Sequence, residues 1–357
     1  MVSVILSENA TTQTKYKYGL ELKENPVGEF SADKSQALVK VQAAALNHRD
    51  VWILKGMYPG IKVGSVLGSD AVGYVIKKSD HNDDTIHIGQ RVLLNPGSGW
   101  VSDERGPEQT FGILGLLPWA GTLTEEPVWM DMEELVACPT HLSNAEAAAL
   151  PLAGLTAYRA LFTKGLVKKD EHVLITGIGG GVALCALQFA VAAGAHVYVT
   201  SSSATKIEKA IALGAKGGVN YKDDDFIREL KKLLGKNLLS AVIDGAGGPL
   251  YGVYPKVMRT GGIIVNYGQT ASVKGVTYSM SHVLKNIDIR GSTMGSRTEF
   301  KEMVKFVEEN KIKPVVSRVW DGLNAKALDE AIATMSNSEQ FGKLVIQISD
   351  PSTSPKL

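Results

Sequence analysis

Between Val173 and Ala183 the chain reads VLITGIGGGVA: an apolar strand-like run, four glycines within five positions, then an apolar run at helical spacing. Few backbones satisfy that order. Glycines permit a tight turn, and without Cβ atoms their amides open toward an anion at the positive end of the following helix. The pattern predicts a pyrophosphate cradle made of Gly177, Gly179, Gly180, Gly181 and Val182, with small Ala183 letting helix pack closely on strand. Val182 stands where the Gly-x-Gly-x-x-Gly fingerprint ends in glycine, so the turn alone is weak; a glycine-rich turn without a ligand is the alternative.

The segments downstream of the turn favour the cradle. Strand-like and helix-like runs alternate at His172–Thr176, Val182–Ala193, His196–Thr200, Lys206–Leu213, Gly218–Tyr221, Asp225–Leu234, Ala241–Asp244, Leu250–Met258 and Gly262–Asn266, with Asp223 or Asp224 as cap of the third helix. Strands apolar throughout, in βαβα order, predict a doubly wound α/β unit: a parallel sheet covered by helices on both faces. Upstream, to about Pro139, short strands (Ala37–Ala43, Ala71–Lys77, Arg91–Leu94) are broken by glycine, and Asp80–Asp84 reads as a solvated loop. Asn95–Gly121, rich in Gly and Pro, reads as a long loop of the lid or site-wall kind. Glu146–Phe162 is helical in spacing but interrupted by Pro151 and Gly154. A charged helix (Glu299–Glu309) and strand-like runs at Val315–Trp320 and Leu344–Ile348 read as a return to the first domain. The expected division is residues 1–145, 146–293 and 294–357.

Composition removes whole classes of function. With 38 Lys+Arg against 37 Asp+Glu in 357 residues, the net charge of +1 argues against nucleic acid or an anionic membrane as main partner. Two cysteines, Cys138 and Cys185, are too few for a disulfide framework or a four-cysteine zinc site and point to a reducing compartment. No apolar run is long enough for a membrane helix, and Met1–Ala10 lacks the basic-then-apolar pattern of a secretory signal, so a cytoplasmic protein is expected. The last residues, Pro355-Lys356-Leu357, differ from a peroxisomal Ser-Lys-Leu address at one position.

Cofactor choice is read after the second strand, where a carboxylate would accept from the adenosine ribose hydroxyls. The chain has Ser201, Ser202, Ser203 and Lys206 there and no acid. Hydroxyls and an ammonium suit a 2′-phosphate, so NADP(H) is expected over NAD(H). Lys206 as a solvated helix residue is the competing reading.

Four more motifs, Ala45–Asp50 (ALNHRD), Lys55–Pro59 (KGMYP), Gly68–Gly73 (GSDAVG) and Pro151–Tyr158 (PLAGLTAY), occur in order with the glycine turn. Through them, from about Ala37 to Ile348, the chain resembles the medium-chain dehydrogenase/reductase superfamily, and within it the zinc-free quinone oxidoreductase branch, including zinc-type alcohol dehydrogenase-like proteins. The resemblance implies a GroES-like β-rich catalytic domain from both chain ends, a Rossmann domain inserted between them, an active site in the cleft, and a homodimer through Rossmann sheet edges. Asn47 and Ser69 fall where the zinc alcohol dehydrogenases carry ligating Cys and His, Asp70 where they carry Glu, and Leu152 or Ala153 where a third ligand would stand. At the ligand positions only weak hydroxyl or amide groups remain for zinc, Asn95–Thr122 has no cysteine for a structural zinc, and the seven histidines show no close pair at metal-binding spacing, so no metal is expected.

From the zinc-free branch the resemblance carries over Asn47, Asp50 and Tyr58 as site residues, Thr156 and Tyr267-Gly268 beside the nicotinamide carboxamide, and Lys206 and Tyr221 at the 2′-phosphate. Two positions depart: Trp52 stands in place of an active-site Tyr, and Ser338 in place of a phosphate-binding Arg. Without a metal to stabilise an alkoxide, plain alcohol oxidation is difficult, whereas quinones and α,β-unsaturated carbonyls spread the charge themselves. The expected activity is NADPH-dependent reduction of such a small-molecule acceptor, with Asn47 bonding the acceptor, Tyr58 as proton donor and Asp50 bonding nearby amides or moving a proton. Tyr58 packing on Pro59 and Asn47 bonding only backbone or ribose are the structural alternatives. An enoyl-thioester reductase and a non-catalytic NADPH-binding sensor remain as other functions. His48, on the opposite face from Asn47 in an extended segment, reads as a surface or supporting residue. Trp100 and Trp119 read as pocket wall or core, Asp244 as ordering the turn after its strand, and both cysteines as inert.

Overall fold

The computed structural model describes residues 1–8, 16–24, 35–79, 85–270 and 275–349. The expected loop at Asp80–Asp84 and the terminal Pro355-Lys356-Leu357 lie outside the described residues. The chain divides into two compact units, Met1–Leu152 with Ser296–Leu357, and Ala153–Gly295.

The first unit opens with the antiparallel pair β1 (Val2–Ser7) and β2 (Gly19–Glu24). Then come β3 (Gln36–Leu46), helix α1 (His48–Leu54), β4 (Asp70–Lys78) and β5 (Arg91–Leu94). The expected long loop holds a small hairpin of β6 (Gly97–Ser98) and β7 (Gly112–Ile113), followed by β8 (Val128–Asp131), β9 (Leu135–Ala137) and helix α2 (Asn144–Ala148); helix α3 (Pro151–Tyr158) begins here and runs on into the second unit. Pro151 does not interrupt a helix; it starts one, where its missing N–H costs nothing.

The second unit contains β10 (His172–Ile175), α4 (Gly181–Ala192), β11 (His196–Ser201), α5 (Ala204–Ala212), β12 (Gly217–Asn220), α6 (Phe226–Leu234), β13 (Leu239–Asp244), β14 (Met258–Asn266), α7 (Met280–Leu284) and β15 (Asp288–Gly291). Among the described residues its strands run parallel in the order β12-β11-β10-β13-β14-β15, the Rossmann arrangement. Every residue of β13 is buried, as a central parallel strand requires. Leu174, Tyr198, Phe226, Leu230, Val242 and Ile264 share its core. Two expectations fail in this unit. Leu250–Met258 is not a helix but two 3-10 turns, Pro249–Gly252 and Tyr254–Lys256, because Pro255 has no N–H to donate within an α-helix. The cap of α6 is Asp225 rather than Asp223 or Asp224; the Asp223 carboxylate accepts from the Asn220 side chain instead.

The chain then returns to the first unit with α8 (Arg297–Glu309), β16 (Val316–Asp321), α9 (Ala325–Ser336) and β17 (Lys343–Gln347). β17 lies between β16 and β3 in a sheet ordered β16-β17-β3-β4-β5-β9. Trp320, Leu328, Leu344 and Ile346 from this return pack with Val4, Val39, Leu46 and Ile53 in one core. Each fully buried aliphatic side chain there contributes about 1.5–3 kcal/mol. The buried Glu134 carboxylate takes the Arg297 guanidinium on one oxygen and the Asn95 amide on the other, fastening the start of α8 to the β9 region. No helix among the described residues is long and apolar enough to cross a membrane.

Candidate functional site

The glycine turn sits at the carboxyl end of β10, beside β13, where the strand order reverses and the connections leave in opposite directions. Gly177 (φ +62°) and Gly179 (φ +134°) both use backbone regions that favour glycine. A Cβ added at Gly177 or Gly180 would meet nothing within 4 Å, so the space above the turn is open. Gly180 caps α4, whose first residues Gly181 and Val182 carry the free amides of a helix start. Ile178 N–H donates to the Thr200 carbonyl at 2.9 Å, tying the turn to β11. These features fit a dinucleotide pyrophosphate.

Lys206, in the first turn of α5, folds over this turn: a Cβ on Gly179 would lie 3.0 Å from its Cδ and 3.3 Å from Nζ. Burial, then the neighbouring Lys209, lowers its pKa from the ordinary lysine value, because both disfavour the charged form. Ser203 caps α5 by accepting the Lys206 N–H, Ser201 accepts the Ser203 N–H, and Ser202 is exposed. The register pairs Ser201 with Asn220, so Tyr221 comes next at the same end of the sheet.

At the end of β13 the buried Asp244 carboxylate is an organising centre. It accepts from Thr176 Oγ1 (2.6 Å), Gly247 N (2.8 Å), Tyr251 Oη (3.0 Å) and Asn266 Nδ2 (3.2 Å), which orders the following turn. Tyr267 donates its N–H to the Asp244 carbonyl and lays its ring over Gly245, where a Cβ would be 2.6 Å from ring atoms. Burial, then the Asp244 charge, pushes the Tyr267 hydroxyl well up. Asn266 Nδ2 also donates to the Gly268 carbonyl, and Thr156 Oγ1 lies 3.9 Å from Met294 Sδ.

The other expected site residues gather in the first unit. Asn47 Nδ2 donates to Asp70 Oδ2 at 2.8 Å and lies 3.3 Å from Ser69 Oγ. Asp70, fully buried, accepts the Leu152 N–H at 2.7 Å on its other oxygen. Asp50 Oδ2 accepts the Asn47 N–H at 2.8 Å, while its Oδ1 has no partner. Burial raises the Asp50 pKa, opposed by Arg49, the Asn47 amide and Lys343 and reinforced by Asp70. Tyr58 is not in this cluster; its ring lies under the Arg49 guanidinium, 4.9 Å away, against the core of the unit. Arg49 is itself buried and donates to the Leu114 carbonyl. His48 meets Trp52 edge-on, and burial lowers its pKa. Trp100, 3% exposed, and Trp119 are packing residues: Trp100 stands edge-to-face on Phe111, and Trp119 covers Gly112. Cys138 is buried with its thiol pushed up to about 11, an unreactive state at neutral pH. Ser338 comes after α9 at a positive φ of 58°.

Sequence reasoning missed Lys343. Its ammonium, 4% exposed, donates to the Leu46 carbonyl (2.8 Å), Asn47 Oδ1 (2.6 Å) and Asp70 Oδ2 (2.7 Å). The available signal was a lysine directly before the apolar run Leu344–Ile346. Such a charge survives burial only with a counter-ion and all donors used, and here both conditions hold. Among the described residues the histidines do form one close pair, contrary to their spacing in the chain: His172 and His196, in register on β10 and β11, bring their rings to 4.7 Å. Even so, among the described residues no group of three or more His, Cys, Asp or Glu is arranged to hold a metal ion.

Residues 33–140 match the alcohol dehydrogenase GroES-like domain, and residues 181–309 match the zinc-binding dehydrogenase family. A zinc-type alcohol dehydrogenase-like protein, YogA, of Leptosphaeria maculans is 41% identical over 93% of this chain and 95% of its own. The chain belongs to the medium-chain dehydrogenase/reductase superfamily. It is an oxidoreductase of that superfamily, a GroES-like domain joined to a Rossmann domain. A crystal structure described as an NAD-dependent alcohol dehydrogenase superposes with a TM-score of 0.85 at 32% identity, covering 98% of this chain and all of the other. An acryloyl-coenzyme A reductase of Metallosphaera sedula is 29% identical over 93% of this chain and 97% of its own.

Proposed function

We propose that this medium-chain oxidoreductase uses NADPH to reduce a conjugated carbonyl acceptor, a quinone or an α,β-unsaturated carbonyl, without a metal ion. The observation that carries the reading is the half-buried Lys206 ammonium lying over the open glycine turn, with no carboxylate after β11. Gly177, Gly179, Gly180, Gly181 and Val182 would receive the pyrophosphate, and Lys206, Tyr221 and the serines Ser201, Ser202 and Ser203 the 2′-phosphate. Thr156, Tyr267 and Gly268 would meet the nicotinamide end. When bound, the reduced nicotinamide supplies a hydride, and the acceptor takes one further proton to complete a two-electron reduction.

The chain's own contribution is to bind the acceptor oxygen and exclude metal chemistry from it. Asn47 presents an amide donor, and the zinc position is taken by an amide, a hydroxyl and a lysine ammonium. That donor set does not fit zinc: neither neutral group is a strong ligand, and the ammonium repels a dication. The proton would come from water, because the Tyr58 ring packs under Arg49 and outside the Asn47 cluster. The acryloyl-coenzyme A reductase relative favours a second reading within the same chemistry, a conjugated thioester as acceptor. The sheet edge at β15, unpaired among the described residues, and the exposed Tyr278, Met280, Val283 and Leu284 support a homodimer.

Loss of NADPH absorbance with a panel of quinones, enones and enoyl thioesters tests the activity. Lys206→Ala is expected to raise the KM for NADPH about tenfold or more, the scale of one lost charge-assisted contact, and to leave that for NADH nearly unchanged. Equal effects on both coenzymes refute the 2′-phosphate assignment, and cofactor binding without turnover of any acceptor identifies a sensor instead.

A further inference from the structure

We propose that Lys343 is a positioning residue that sets the orientation and strength of the Asn47 amide as an oxyanion donor; this rests on the proposed reduction of a carbonyl acceptor bound by Asn47. An amide side chain can face either way, and its partners decide. Asn47 Oδ1 is held at 2.6 Å by the Lys343 ammonium, which forces Nδ2 toward Asp70 and Ser69. One Nδ2 hydrogen makes a 2.8 Å bond to the Asp70 carboxylate. The other faces Ser69 Oγ at 3.3 Å, a longer bond to a neutral acceptor. That second hydrogen is the one an acceptor oxygen can take over at least cost.

The ammonium also changes the quality of this donor. Positive charge beside the amide oxygen draws electron density through the conjugated N–C=O unit, leaving the N–H more polar, and burial strengthens the effect. Lys343 is 4% exposed and Asp70 fully buried. The register Leu344↔Leu46 fixes the cation beside Asn47 through the sheet, so no reorganisation is needed as negative charge develops on the acceptor. The ion pair leaves the resting cluster balanced, and the Asn47 N–H toward Ser69 Oγ, at 3.3 Å, is its most weakly held amide donor.

A plain structural role, an ion pair stapling β17 to β3 and β4, makes a different prediction. The double variant Lys343→Met/Asp70→Asn removes both charges, keeps an acceptor for the Leu152 N–H, and lets the Asn47 amide turn over. We expect it to melt near the wild-type temperature, with an unchanged KM for NADPH and a kcat toward quinone or enone lowered about tenfold or more. Lys343→Arg, which keeps the charge, is expected to retain most of kcat. In an Asn47→Ala background the double substitution is expected to lower kcat no further, because its effect passes through that amide. Wild-type kcat in the double variant, or the same loss with and without Asn47, overturns the role of Lys343. Should the double variant not fold, Lys343→Gln carries the test, since it retains donors toward Asn47 and drops the charge alone. A wild-type protein that turns over no acceptor overturns the functional reading and this inference together; turnover with an insensitive kcat overturns this inference alone.

Discussion

Asp50 lies on α1 with 1% of its surface exposed, one oxygen accepting the Asn47 N–H and the other without a partner. Burial raises its pKa; the facing charges Arg49 and Lys343 pull it down and Asp70 adds to the rise. A carboxyl that holds its proton more tightly when folded makes stability fall as pH rises, from about 3.9 up through the folded value. Asp50→Asn keeps an acceptor for the Asn47 N–H and removes the titration. The difference in unfolding free energy, wild type minus variant, is therefore expected to decline with pH above about 4, by about 1.4 kcal/mol for each unit by which the folded pKa is raised. Denaturant melts across that range check it, and parallel profiles would count against the assignment. Asn47 was legible in the sequence as a position where a ligand is missing. The resemblance also brought Ser69 and Asp70 to it, but not Lys343, which reaches it from the far end of the chain.

Among the elements, the segment from β6 to β7 is the clearest case of local chemistry standing in for regular structure. The Glu108 carboxylate accepts N–H groups from Val101 (2.8 Å), Ser102 (2.7 Å) and Asp103 (2.7 Å), and these bonds hold its pKa down to about 2. The stabilisation is present above the ordinary carboxylate pKa and is lost as pH falls toward 2. At neutral pH, Glu108→Ala is expected to speed amide exchange at Val101, Ser102 and Asp103 about tenfold while leaving the core strands unaffected. Unchanged protection at those three amides would show that the turn holds itself. No periodicity marks this segment, so the sequence read it only as a loop. The Rossmann strands were legible for the opposite reason: β13 and its neighbours are buried on both faces and must be apolar throughout. The run at 250–258 misled because its apolar residues serve the core at helical-looking intervals, while its proline breaks the helix.

For the whole molecule, the return of the chain is decisive: β17 pairs with β3 across nearly the full length of the sequence, so the first unit cannot close until the second has been made. On the second unit, Leu284 is 75% and Met280 64% exposed in α7, which directly precedes the edge strand β15 in the chain. An antiparallel pairing of two β15 edges centred on Ile289 would set each Asp288 opposite the partner's Arg290, opposite charges at both ends. The protein is expected to sediment at twice the chain mass, and Leu284→Glu with Ile289→Pro to shift it to the monomer at micromolar concentration. A wild type that sediments as a monomer removes the dimer from the proposal.

Read alone, the sequence determined the glycine turn, the parallel α/β order around it and the superfamily, because each depends on residues close together in the chain or on burial patterns repeated along it. Tertiary structure alone decided the Lys343 cluster. A charged side chain can be buried only where its counter-charge and acceptors arrive from other strands, and Leu46, Asn47 and Asp70 meet Lys343 only when the end of the chain is laid against its beginning.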